Sequence, residues 1–177
     1  TCALPIWLRG RNGNSEVRGE GSFRPADGLH LRLTADRVPL NQELRLALQP
    51  AVRNVWDSLR PTGDLDQIRV DVRQGTGATR PDIAVDFDIH HPENPNQPDA
   101  SIAPVSFPYT FNRLRGNVQV ANGRIKLSGL EAEHGQTWLG CKGSGTCDAA
   151  NWRVDLQELQ IGGLKRSEET RLNSSHA

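Results

Sequence analysis

Period-two alternation of apolar and polar residues constrains this chain more than any other feature of it. Ile68, Val70 and Val72 alternate with Gln67, Arg69, Asp71 and Arg73. Ile83, Val85, Phe87 and Ile89 alternate with Asp82, Ala84, Asp86, Asp88 and His90, and Leu29, Leu31 and Leu33 with His30, Arg32 and Thr34. Successive side chains of a strand point to opposite faces, so each stretch has one apolar and one polar face. Such strands suit an antiparallel sheet wetted on one side. A parallel sheet covered on both faces would need near-continuous apolar runs.

A hairpin is predicted at Leu114–Val120, Ala121-Asn122-Gly123 and Arg124–Leu127, because an Asn-Gly pair supplies the positive φ angles of a tight turn. Strand pattern continues through Leu130, Ala132 and Glu133, then Trp138–Cys141, and ends on Trp152, Val154, Leu156 and Leu159. His91–Pro98 holds three prolines and reads as an exposed loop.

One segment breaks the pattern. Between Asn41 and Leu59, residues Leu44, Ala47, Leu48, Ala51, Val52, Val55, Trp56 and Leu59 recur at three- and four-residue spacing, which predicts an amphipathic helix. Asn41 caps its start, and Pro50 forces a kink or a second helix starting there. Pro61 and Gly63 end it. The apolar stripe needs a partner, most simply one face of the sheet. The predicted fold is therefore mainly β: a curved antiparallel sheet, a meander or groove, with one amphipathic helical segment at about 41–59.

Gly21-Ser22 followed by Leu29–Leu33 resembles Gly143-Ser144 followed by Trp152–Leu156, about 120 residues on. Repetition of a unit that cannot bury its own edge implies a stacked β array. The two ends differ from the middle. Thr1–Ile6 and Arg166–Ala177 resemble translated sequencing-adapter read-through, so non-native tails are expected at 1–6 and 165–177. The expected layout is then the end of one β unit at 7–40, a helical insertion at 41–61 and a further β unit at 62–164, together an internal fragment of a longer protein.

Chemistry-bearing motifs are few. The 21 basic and 21 acidic residues balance, whereas a nucleic-acid binder needs a basic excess. No apolar run is long enough to cross a membrane as a helix. Asp86, Asp88, His90, His91 and Glu93 could suggest a metal site, but Asp86, Asp88 and His90, which share a strand face, have Cβ atoms that spread about 6.6 Å per step. They read as a solvated face rather than a metal site. Ser101 and Ser106 lack a nucleophile-elbow context, and Gly140–Gly145 lacks the Gly-Lys-Ser/Thr order of a phosphate loop. No catalytic residue, metal or cofactor is implied. Cys141 and Cys147 flank Lys-Gly-Ser-Gly-Thr, read as a flexible loop that would let them form a disulfide in an oxidising compartment; paired free thiols are the alternative. Phe107, Tyr109 and Phe111 alternate as either an aromatic platform or strand packing.

The order Leu29-x-Leu-x-Leu-Thr-Ala-Asp-Arg-Val-Pro-Leu-Asn-Gln-Glu-Leu44, Trp56-x-x-Leu-Arg-Pro-Thr-Gly-Asp64, Phe107-Pro-Tyr109, Leu114-Arg-Gly116, Asn122-Gly123 and His134-Gly135 resembles the AsmA-like group of repeating β-groove envelope proteins, related to TamB-type proteins. The resemblance covers about residues 15–161. It implies long curved antiparallel sheets on the periplasmic side of a bacterial membrane, anchored by a helix outside this stretch. It also implies an apolar groove that conducts lipids and contributes to outer-membrane homeostasis without catalysis. Acyl chains and other envelope proteins would be the partners. The expected groove lining is Ile68, Val70, Val72, Ile83, Val85, Phe87, Ile89, Val118, Val120, Ile125 and Leu127; the competing assignment packs them on the 41–59 helix. A second reading is a secreted carbohydrate-binding β-sandwich that uses Trp138, Trp152 or Tyr109 as stacking platforms. It requires two closed sheets. A third, an enzyme, requires convergent polar groups in a pocket.

Overall fold

A computed structural model describes residues 3–90 and 97–163 of the chain. Residues 1–2, residues 91–96 of the expected loop, and residues 164–177, which include the whole expected tail at 165–177, lie outside the described residues. The elements run β1 (Leu4–Asn12), β2 (Ser15–Arg24), β3 (Gly28–Pro39), α1 (Gln42–Ala47), α2 (Pro50–Leu59), β4 (Pro61–Thr62), β5 (Asp64–Gln74), β6 (Asp82–Ile89), β7 (Ser101–Ile102), β8 (Asn112–Ala121), β9 (Arg124–His134), β10 (Thr137–Cys147) and β11 (Trp152–Gly162). Nine strands form one antiparallel sheet in the order β1-β2-β3-β5-β6-β8-β9-β10-β11, and β4 pairs separately with β7. The large sheet is thus a meander in chain order with β1 and β11 as its two edges. This is the mainly β, antiparallel fold that the alternation predicts.

The strands before and after the helices lie side by side, β3 against β5 from Leu29–Gln74 to Pro39–Asp64. The stretches expected as successive units therefore share one sheet. Leu4, Pro5 and Ile6 pair with Phe23, Ser22 and Gly21, so the tail boundary expected at residue 6 falls inside β1. The two Gly-Ser repeats occupy the β2–β3 and β10–β11 hairpins, near opposite edges of the sheet.

The β8–β9 turn forms as read, with Asn122 at φ 50° and Gly123 at φ 70°. Asn41 caps α1, its side-chain oxygen accepting from the Leu44 N–H at 3.0 Å. The helical segment does not bend at Pro50 but stops and restarts. Leu48 and Gln49 are extended, and Pro50 opens α2 where its missing N–H costs no helical bond. Arg45 clamps the two helices together through Asp57, with contacts of 2.6 and 2.7 Å. Arg60, in the left-handed region at φ 47°, ends α2 just before Pro61.

Register makes the two faces of the sheet explicit. One transverse row runs Leu8, Gly19, Leu33, Val70, Val85, Val120, Ile125, Gly145, Val154, one residue from each of nine strands. A second runs Gly10, Val17, Ala35, Ile68, Phe87, Val118, Leu127, Gly143, Leu156. Both contain only apolar residues and glycine. The row between them, on the opposite face, is Arg9, Arg18, Thr34, Arg69, Asp86, Gln119, Lys126, Ser144, Asp155. Directly opposed residues share a face, so the apolar face crosses the sheet without interruption. At ~4.8 Å between strands it is about 38 Å wide.

Candidate functional site

The helices lie on this apolar face but do not fill it. Leu48, Val52, Val55, Trp56 and Leu59, the stripe read from the sequence, face the sheet across a cavity of about 460 Å³. Its floor is Phe87 and Ile89 from β6, Val118 and Val120 from β8, Ile125, Leu127, Leu130 and Ala132 from β9, Leu139, Cys141 and Cys147 from β10, and Trp152, Val154 and Leu156 from β11. Leu40, Pro61, Ile102 and Phe111 also line it. The two hydrophilic side chains on the wall are already engaged: Glu131 accepts from Arg115 Nε at 2.7 Å, and the Ser101 hydroxyl meets that of Thr62 at 2.8 Å. Such a lining favours an apolar occupant, because a polar ligand would leave its water contacts unreplaced.

α2 is tied to the β10–β11 hairpin from its middle and its last turn. Asn54 donates to the Ala149 carbonyl in the β10–β11 turn, and Trp152 Nε1 donates to the Ser58 hydroxyl at 3.0 Å. The densely packed core borders the cavity, and every member except Ile68 also contributes to the cavity wall. Leu65, Ile68, Ile89, Ala100, Leu114 and Ala132 are each below a tenth exposed and pack with one another. The segment after residue 97 covers that core, pinned by the Leu114 N–H to the Ala100 carbonyl at 2.9 Å.

The eleven expected lining residues share the apolar face but divide by depth. Phe87, Ile89, Val118, Val120, Ile125 and Leu127 line the cavity opposite α2. Ile68 belongs to the packed core, with Val70 and Val85 against it. Val72 and Ile83 oppose each other, half-buried, toward the far end of β5 and β6. The sequence reading missed the β10 and β11 wall. The signal was present in the alternation of Trp152, Val154 and Leu156, whereas on β10 Gly143 and Gly145 stand in the apolar rows and a register shift between Lys142 and Gly143 interrupts the pattern.

The disulfide expected between Cys141 and Cys147 does not form: both are free thiols. The stretch between them is not a loop but part of β10, paired on both sides. Six residues at ~3.3 Å rise separate the two α-carbons by on the order of 20 Å, far beyond the ~7 Å limit for a bridge. Burial pushes both thiols above their ordinary pKa, with the neighbouring Asp148 carboxylate adding to the effect at Cys147.

Asp86 is engaged by Asn117 and by Gln119 at 3.2 Å, and Asp88 by Arg69 at 3.2 Å, all on the polar face. No group of three metal-ligating side chains occurs among the described residues. Trp152 lines the cavity, whereas Trp138 sits on the other face of β10 over Gly140 and Gly162. The tryptophans therefore form no common platform. Phe107, Tyr109 and Phe111 do cluster, Phe107 stacking on Phe111 at 5.8 Å and meeting Tyr109 edge-on at 5.2 Å. They lie in the connection before β8 rather than in a strand.

Compared with protein-family models, curated proteins and solved structures, the chain matches none of them.

Proposed function

We propose that this chain is a lipid-handling segment of a bacterial envelope protein that shelters acyl chains on its apolar sheet face and catalyses no reaction. The observation that carries the reading is the cavity of about 460 Å³ between α2 and the sheet, whose hydrophilic wall groups are already paired. With a methylene taken as roughly water-sized, ~30 Å³, that volume holds on the order of fifteen carbons, one acyl chain. The uninterrupted apolar rows from β1 to β11 support a track that continues beyond the cavity. The sequence resemblance to AsmA-like and TamB-related proteins supports a periplasmic setting, other envelope proteins as partners, and a role in lipid transfer or outer-membrane homeostasis.

The test is photo-crosslinking with a diazirine-bearing fatty acid, followed by peptide mass mapping. Adducts are expected on Phe87, Val118, Leu127 and Val154. Adducts confined to the polar face, or none at saturating probe, would refute the reading.

A further inference from the structure

A second apolar feature lies outside the cavity. From Ala100 to Asn112 the chain carries no charged residue, although 24% of all residues are charged. The tip of this stretch is exposed: Val105 is 59%, Phe107 50% and Tyr109 48% accessible. Burying apolar surface is the main favourable term in folding, so a chain that leaves three large apolar side chains together in water gains from covering them.

The tip is also rigid. Ile102 and Phe111 exchange both backbone hydrogen bonds, at 2.9 and 2.8 Å, closing the loop at its base. The Ala103 and Val105 N–H groups donate to the Leu59 and Ser58 carbonyls at 2.8 Å, fixing its first half to the end of α2. Pro104 and Pro108 stiffen it, and His134 packs on Tyr109 at 4.8 Å while bonding the Thr110 carbonyl at 2.9 Å. Its exposed side chains are therefore presented in a fixed arrangement, which lowers the ordering cost of docking.

We infer that the 103–110 loop is a membrane-docking tip that inserts Val105, Phe107 and Tyr109 into the interfacial layer of a lipid bilayer. Three observations favour a bilayer over a protein partner. The tip has no charge of its own to fix a register against a protein surface. Its polar groups, the hydroxyls of Ser106, Tyr109 and Thr110, suit the headgroup level where amphipathic aromatic residues concentrate. It is also continuous with the cavity, since Phe107 stacks on Phe111 and both Phe111 and Ile102 belong to the cavity wall. The tip thus places the Ile102–Phe111 part of the cavity wall next to the bilayer. For where a lipid goes next the inference rests on the acyl-chain reading of the cavity, whereas membrane contact stands on the loop alone.

The test is co-sedimentation of the whole chain with sucrose-loaded vesicles of phosphatidylcholine, with and without phosphatidylglycerol. The chain is compared with V105S/F107S/Y109S and with W7S/L8S, which removes a separate exposed apolar pair on β1. Circular dichroism and urea unfolding confirm that each variant folds, and Y109S alone serves if the triple variant does not. The chain is expected to pellet with both vesicle types, the tip variant to partition about tenfold less or lower, and W7S/L8S to behave as the parent. A folded tip variant that pellets like the parent, a parent that stays in the supernatant with both vesicles, or loss of binding in W7S/L8S alone would each overturn the inference. Uptake of a soluble fluorescent fatty acid separates the two readings. The tip variant keeps that uptake if the cavity reading holds, while a parent that pellets with vesicles but takes up no probe sinks the cavity reading and leaves the tip standing.

Discussion

The indole N–H of Trp152 donates to the hydroxyl of Ser58 across 3.0 Å, joining edge strand β11 to the last turn of α2 over the apolar face. Ser58 passes the connection on by donating to the Asn54 carbonyl at 2.8 Å, one turn back, and the Asn54 side chain itself reaches the Ala149 carbonyl. The helix is therefore latched to the β10–β11 hairpin by a short polar relay, while the space beneath it stays open.

Trp152→Phe keeps most of the apolar area and removes the donor. It is expected to cost about 0.5–1.5 kcal/mol, the usual net worth of one hydrogen bond. Because the lost bond latches α2, bound fatty-acid probe should also leave faster. Urea unfolding measures the first effect and stopped-flow displacement the second. Loss of stability with unchanged probe release would mean that α2 does not govern access.

The cavity should tolerate added volume that a packed core would not. Val118→Phe adds a ring toward open space, so its stability change is expected to stay within about 1 kcal/mol, short of the 1–3 kcal/mol typical of overpacking. The same ring occupies the ligand's place, and fatty-acid affinity should fall about tenfold or more. Fluorescence titration of the variant checks this; unchanged affinity would place the ligand elsewhere.

Leu65 offers the contrast. At 2% exposure it sits among Ile68, Ile89, Ala100, Leu114 and Ala132, and truncation leaves a void that its neighbours cannot fill. Leu65→Ala is expected to cost about 2–5 kcal/mol. Leu65 also borders the cavity but is almost wholly buried, whereas Leu127 is only half-buried, so Leu127→Ala should cost clearly less. Equal losses in urea midpoints would contradict this ordering by burial.

Much of this arrangement is legible in the sequence, and the reason is local. Alternation at Ile68–Val72 and Ile83–Ile89 fixes which side chains share a face, and Asn122-Gly123 fixes the register of β8 on β9. Asn41 and Pro50 mark where α1 and α2 begin. What remained hidden depends on long-range contact. No spacing rule says that α2 lands on β10 and β11 rather than on β3, since that follows from Asn54 meeting Ala149 and Ser58 meeting Trp152, about 95 residues apart. The Cys141–Cys147 stretch misled because its glycines read as a loop. In the sheet, Gly143 and Gly145 are there because neighbouring backbone crowds the positions where a Cβ would stand, the Asp155 carbonyl at Gly143 and the Arg153 carbonyl at Gly145.

The two thiols should be slow to react. Burial holds both above their ordinary pKa, so the reactive thiolate is scarce at pH 8. Native protein should react with a thiol reagent such as DTNB far more slowly than urea-unfolded protein, and adding reductant should leave the melting temperature unchanged. A drop on reduction would reveal a bridge that the strand geometry does not allow.

Asp64 gives a pH signature of definite sign. Burial, reinforced by the neighbouring Asp66 carboxylate, holds its carboxyl above the ordinary carboxylate range. A folded-state pKa above the unfolded value of ~3.9 means that the native state binds the proton more tightly. The resulting stabilisation is complete below the unfolded pKa and is lost as pH rises through the folded one, leaving the charged group opposing folding at neutrality. Asp64→Asn removes that opposition. Because the side chain is partly exposed, the gain at pH 7 should be only a few tenths of a kcal/mol, or about 1 °C in melting temperature. It should shrink toward zero near pH 3, where aspartate is protonated in both states. Thermal melts of parent and variant between pH 3 and pH 7 test this, and a variant less stable at pH 7, or a gap that does not close in acid, would show that the carboxylate is favourably partnered instead.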